Sequence, residues 1–171
     1  MEEKKELIYV LDKKRLIGLL IYYVVLIIFG MVAVIWICSM PLKEMSESSL
    51  LVKYTFIVSL SASAMSCGMQ YVRRLYKACI TKRVVYYDDN SIELFGNMVY
   101  FITRPLFSLA FSTLVVVGLL AGMFLVTGSL DYVINDKFLY LCLIISSLTG
   151  YSVGQVLDRF EKISRKTSSE N

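Results

Sequence analysis

Histidine is absent from this chain of 171 residues. Aspartate and glutamate are absent from three long stretches, residues 13–43, 48–87 and 94–130. Catalysis inside a membrane and proton-coupled transport both need an imidazole or a carboxylate at depth. The four cysteines show no Cys-x-x-Cys spacing, and without histidine a zinc site would need carboxylates near them. We therefore expect a protein that is not an enzyme and that holds neither a metal nor a cofactor.

Charged residues are also scarce, at 19% of the chain, whereas 57% of the residues are apolar and mean hydropathy is +0.63. The charges are gathered into blocks that separate four apolar runs. A helix needs about 20 apolar residues to cross a hydrocarbon core of roughly 30 Å. The sequence predicts one domain, an all-α integral membrane protein with four transmembrane helices at about 16–38, 54–71, 105–126 and 138–157.

Lysine and arginine are distributed unequally between the two ends of these spans. Segments 1–15, 72–104 and 158–171 contain 15 of the 18 cations, and the two opposite loops contain the other three. Cytoplasmic loops of membrane proteins carry such an excess. We expect a bacterial inner-membrane protein whose two termini and whose 72–104 segment face the cytoplasm.

The stretch of 33 residues from 94 to 126 is too long for one upright span. Proline suits the first turn of a helix, so the third span is predicted to begin at Pro105. Apolar side chains recur before it at every third or fourth position, at Ile92, Phe95, Val99 and Ile102. This spacing favours a short amphipathic helix at the inner interface. The alternative is a hairpin that pairs 84–87 with 92–95 around a turn at 88–90.

Small residues indicate which spans pack together, because they let helix backbones approach closely in lipid. The candidate residues for helix packing or an oligomer interface are Ser59, Ser63, Ser66, Gly68, Gly118, Gly122, Gly150 and Gly154. We expect spans two, three and four to form the interior, with span one outside against lipid. Span two is small on more than one face, which favours a homo-oligomer; the alternative is that these residues pack only the monomer.

Basic residues near the cytoplasmic ends are candidate contacts for lipid or a partner: Arg73, Arg74, Lys77, Lys82, Arg83 and Arg104. Arg104 adjoins a span directly, so it could hold a lipid phosphate, pair with Asp158 or Glu161, or ring the inner mouth of an oligomer. The alternative for Arg104 is a snorkelling anchor at the interface. The basic run is typical of a topology determinant attracted to anionic lipid, and we expect no direct binding of nucleic acid.

Two functions remain open. The first is an oligomeric subunit that anchors and signals to a cytoplasmic protein, because the cytoplasmic segments are longer than turns require but too short for an enzymatic domain. The second is a small homo-oligomeric pore or channel whose inner mouth is ringed by Arg104. Its path would be lined by hydroxyls of Ser59, Ser63, Ser66, Ser108, Ser112, Ser146, Ser147 and Thr149.

The four-span plan, the basic loop before Arg104-Pro105 and the closing sequence from Gly150 to Lys162, GYSVGQVLDRFEK, resemble those of a known group. They are similar to small inner-membrane proteins of bacterial defence islands, such as the membrane subunit of the Kiwa anti-phage system. The resemblance implies a homotetramer that works with a cytoplasmic DNA-binding partner and senses phage at the envelope. It carries over no individual functional residue.

Overall fold

Four long helices make up most of the protein. The computed structural model describes residues 9–10, 13–40, 48–80, 84–85, 91–128 and 136–169. The helices are α1 (Lys13–Cys38), α2 (Ser48–Ile80), α3 (Ser91–Thr127) and α4 (Asp136–Ser169). All four are long and apolar enough to cross a membrane. The prediction of a multi-pass membrane protein built on four apolar helices is confirmed.

Two strands of two residues each accompany the helices. β1 (Tyr9–Val10) pairs in parallel with β2 (Val84–Val85), and β1 also contacts α3. The hairpin considered from the sequence would have paired 84–87 with 92–95, but 92–95 belong to α3. Its turn at 88–90 lies outside the described residues. The segment before α1 is therefore the partner of β2, a pairing that the all-α prediction did not include.

The third helix does not begin at Pro105 as expected. α3 starts at Ser91 and continues through Pro105 to Thr127. The residues predicted as a separate amphipathic helix are thus helical, but they form one element with the third span. Proline inside a helix normally costs about 3 kcal/mol or more because it removes a backbone donor. Here a side chain from α1 replaces that donor, as the geometry below shows.

Helix α2 lies at the centre of the bundle and touches the other three helices. Two glycines make its contact with α1 close: a Cβ on Gly30 would lie 2.8 Å from the Ser61 carbonyl oxygen, and one on Gly68 would lie 2.8 Å from Cγ1 of Ile27. Against α4, a Cβ on Gly150 would lie 2.8 Å from Cα of Ser63. The density of small residues in α2 therefore serves contacts within one chain.

Helix α1 packs mainly against α2, whereas α3 packs against both α2 and α4. α1 exposes most of its side chains, in agreement with its predicted place against lipid. α3 contacts both α2 and α4, as predicted for the packing of spans two, three and four. Its glycine pair does not take part in this packing, because a Cβ on Gly118 or Gly122 would meet nothing within 4 Å. The prediction that these two glycines lie at a helix contact is therefore wrong for the single chain.

Candidate functional site

Four serines join α2 to α3 in the middle of the bundle, and we call them the serine ladder: Ser59, Ser63, Ser108 and Ser112. The Ser63 and Ser108 hydroxyls lie 2.7 Å apart, and each also donates to the other residue's carbonyl, at 3.0 and 3.2 Å. One turn away, the Ser112 hydroxyl donates to the Ser59 carbonyl at 3.2 Å. All four are fully buried. The ladder therefore acts as interhelical hydrogen bonding in lipid, where such bonds hold helices together.

Helix α4 closes the other side of this polar interior. α2 and α4 run in the same direction, since Gly150 lies against Ser63 and Gly154 lies against Gln70 and Tyr71 further along. Ser146 is fully buried, and among the described residues its hydroxyl makes no hydrogen bond. The Thr149 hydroxyl donates a hydrogen bond to the Ile145 carbonyl of its own helix. These α4 hydroxyls face close helix contacts or their own backbone.

Gly154 is surrounded by polar groups of α2. A Cβ at this position would lie 2.7 Å from the Tyr71 hydroxyl, and 3.2 Å from both Nη2 of Arg74 and Oε1 of Gln70. Gln70 and Tyr71 are buried, and the Arg74 guanidinium lies 5.4 Å from the centre of the Tyr71 ring. Gly154, predicted to pack helices together, thus leaves space for polar side chains of α2. Gly150, one turn earlier, instead lies against the α2 backbone.

The proline of α3 is served by a tyrosine of α1. Pro105 has no amide hydrogen, so the carbonyl four residues earlier, that of Phe101, loses its donor within the helix. The hydroxyl of Tyr23 donates to this carbonyl. The Tyr23 ring stacks on Tyr71 at 5.6 Å, and Tyr71 meets Phe101 edge to face at 6.1 Å. We call Tyr23, Tyr71, Phe101 and Pro105 the tyrosine junction; it fastens three helices at one level.

Arg104 precedes this proline and lies inside the bundle. Its side chain is only 5% exposed, and its guanidinium stacks 4.0 Å from the centre of the Tyr100 ring, one turn earlier. Such stacking stabilises a desolvated cation by about 2 kcal/mol. A snorkelling anchor would keep its guanidinium in water, so that interpretation of Arg104 is wrong for the single chain. Side chains at 158 and 161, its other predicted partners, lie outside those described.

The end of the bundle that includes the N-terminus of α1 and the C-termini of α2 and α4 carries exposed cations, and we call it the basic end. Its exposed basic side chains are Lys14, Arg15, Arg73, Lys77 and Arg159. Arg73 donates to the Tyr151 hydroxyl at 3.1 Å, which ties α2 to α4 there. Lys82 and Arg83, predicted to act with them, lie outside the described residues.

The sequence did not single out the tyrosine junction or Gln70. One signal was present, because a proline inside an apolar run leaves a carbonyl that needs a donor, and a tyrosine hydroxyl can supply one. Which tyrosine does so depends on how the helices pack. A glutamine is uncommon in an apolar helix, so the sequence alone could have identified Gln70 as a candidate.

No protein-family model matches the chain, and no curated protein or solved structure matches it. The chemistry of the site is therefore judged from its geometry. The buried polar groups described are hydroxyls, one amide and one guanidinium. Such groups form hydrogen bonds that hold helices together or bind a partner molecule.

Proposed function

We propose that the protein is a non-enzymatic membrane subunit that docks a soluble partner protein at its basic end. The length of the helices at this end carries the proposal. The apolar segment of α2 has 31 residues, about 46 Å of helix against a hydrocarbon core of roughly 30 Å. The apolar segment of α4 ends at Leu157, yet the helix continues to Ser169. Helical structure thus extends beyond what crossing a membrane requires.

This extension exposes apolar and basic side chains together. Its most exposed apolar residues are Tyr76 (64%), Ile80 (61%) and Ile163 (62%). On α2, the exposed residues Arg73, Tyr76, Lys77 and Ile80 follow helical spacing and share one face. Exposed apolar groups beside cations suit an acidic partner segment that brings its own apolar side chains. The occupant we propose is such a segment of a soluble protein.

The excess of lysine and arginine at this end favours a cytoplasmic position for it, with both termini inside and the protein in the bacterial inner membrane. In that orientation residues 91–104 lie near the inner surface, where an amphipathic helix contacts lipid. The outward pair Gly118 and Gly122 supports a homo-oligomer, for which the resemblance favours a tetramer, and anti-phage sensing is the role that the same resemblance suggests.

The serine ladder supports docking over a pore. A hydrated path needs polar groups directed into a lumen. Instead, the neighbouring helix accepts hydrogen bonds from the hydroxyls of Ser63, Ser108 and Ser112. Arg104 is packed against Tyr100. These three hydroxyls therefore join helices of one chain and are not free to line a path through it.

Photo-crosslinking in living cells tests the docking proposal. A photoreactive phenylalanine analogue at Ile80 should yield a discrete protein adduct, whereas one at Val117, exposed on the apolar part of α3, should yield lipid adducts or self-adducts. The adduct at Ile80 should disappear when Arg73 and Lys77 are changed to glutamine, with orientation rechecked by cysteine labelling. Identical adducts at the two positions, or ion currents from the purified protein alone in planar bilayers, would contradict docking.

A further inference from the structure

The apolar part of α3 is longer than a membrane is thick. It runs from Phe95 to Val126, which is 32 residues and about 48 Å of helix. The hydrocarbon core is roughly 30 Å, so an upright α3 leaves about 18 Å of apolar helix outside it. A helix with this mismatch tilts or bends. Pro105 marks the place where α3 can bend at least cost, since it interrupts the hydrogen bonds along the helix.

The segment before Pro105, residues 91–104, is called the arm. One face of the arm packs inward, with Phe101 fully buried. The opposite face exposes Phe95 (69%), Val99 (40%) and Ile102 (42%), at spacings of four and three residues. This apolar stripe continues across the proline to Leu106, which is exposed on the membrane-spanning part. Exposure of these apolar side chains to water is unfavourable, so we expect another apolar surface to lie against the stripe.

The tyrosine junction holds the arm in the arrangement seen in the structure. The hydrogen bond from Tyr23 ends on the Phe101 carbonyl, the group that Pro105 leaves without a donor. The bond therefore lies at the bending point itself, and it connects the arm to α1. β1, the strand before α1, contacts α3 as well.

We propose that the arm is a hinged membrane-surface sensor. It turns about Pro105 between the upright position, held by Tyr23, and a position in which Phe95, Val99 and Ile102 lie in the lipid surface. Lipid is the occupant because the stripe is continuous with the apolar surface of the span, and because the hinge keeps the arm within reach of the same membrane. The proposal stands apart from partner docking, which involves α2 and α4.

Electron paramagnetic resonance on the full chain, in vesicles of phosphatidylethanolamine and phosphatidylglycerol, tests this movement. With the four cysteines replaced by alanine, spin labels at Val99→Cys and Ile80→Cys report the distance between the arm and α2. Two distances are expected, a short one for the upright position and a long one for the position in the lipid surface. Tyr23→Phe should raise the ratio of the long-distance to the short-distance population by roughly threefold to twentyfold, the range for losing one hydrogen bond between membrane helices.

Tyr22→Phe is the matched control, since it removes a hydroxyl from the adjacent position and leaves the donor to Phe101 in place. Pro105→Ala restores the amide donor and should favour the short distance, which provides a second test if Tyr23→Phe does not fold. In the long-distance state, a label at Val99 should collide with oxygen and be shielded from a water-soluble nickel chelate. Equal ratios for the two tyrosine variants would overturn the hinge, and shielding from both reagents would overturn lipid as the occupant.

Discussion

Replacing Gly150 with alanine tests the closest helix approach in the bundle. A Cβ at this position would meet the Ser63 carbonyl oxygen and would lie 2.8 Å from Cα and 2.9 Å from the carbonyl carbon of Ser63. Real Cβ atoms essentially never approach other atoms this closely, so α4 must move away from α2. Backbone atoms cannot rotate out of the way as a side-chain end can. Overpacking of this kind costs about 1–3 kcal/mol.

Gly96→Ala is the control, because it makes the same chemical change at a helical position where a Cβ would meet nothing within 4 Å. Alanine favours a helix over glycine by roughly 0.5–1 kcal/mol, and this gain applies to both variants. The difference between the variants therefore isolates the clash. We expect the free energy of unfolding of Gly150→Ala to be about 1–3 kcal/mol lower than that of Gly96→Ala.

Reversible unfolding in mixed micelles, titrated with sodium dodecyl sulfate and followed by the fluorescence of Trp36, measures this difference. The tryptophan lies on α1, remote from both substitutions in sequence. Helix content by circular dichroism checks that both variants fold. If the two variants have the same free energy of unfolding, α2 and α4 do not approach each other at Ser63, and the centre of the bundle is wrongly placed.

The serine ladder predicts that Ser63→Ala and Ser108→Ala each lower the free energy of unfolding by about 0.6 kcal/mol, with an upper bound near 1.7, because each removes a hydroxyl that donates to a carbonyl of the neighbouring helix. An unchanged free energy of unfolding in both variants would count against these hydrogen bonds. The outward face of α3 predicts self-association: Gly122→Leu should reduce the oligomer seen by native mass spectrometry without lowering the free energy of unfolding of the single chain, because a Cβ there meets nothing within 4 Å and leucine favours a helix over glycine. An unchanged oligomer would place the self-contact elsewhere.

The four helices were predictable because a membrane span is a matter of length and apolar composition, which the sequence carries locally. The start of α3 was not. A rule for proline placed it at Pro105, whereas the donor that lets the helix continue comes from Tyr23, 78 residues before the Phe101 carbonyl that accepts it. Contacts of that sequence separation arise only from packing, so local spacing cannot reveal them.

The two Gly-x-x-x-Gly pairs show a similar limit for the candidate site. Gly118 with Gly122 and Gly150 with Gly154 are equivalent as patterns, and both were expected at helix contacts. The structure presses Gly150 against α2 and turns the α3 pair outward. The rotation of a helix about its axis depends on its contacts with all neighbouring helices, which local sequence does not show. The burial of Arg104 depends on the same contacts, so the sequence did not reveal it.

The parallel pair of β1 and β2 has a consequence for how the protein is made. Tyr9 pairs with Val84, 75 residues later in the chain. Synthesis delivers the N-terminal segment first, so β1 cannot meet β2 until α1 and α2 have both left the ribosome. The pair therefore forms only on a completed α1–α2 hairpin. Once formed, the pair connects the segment before α1 to the segment after α2.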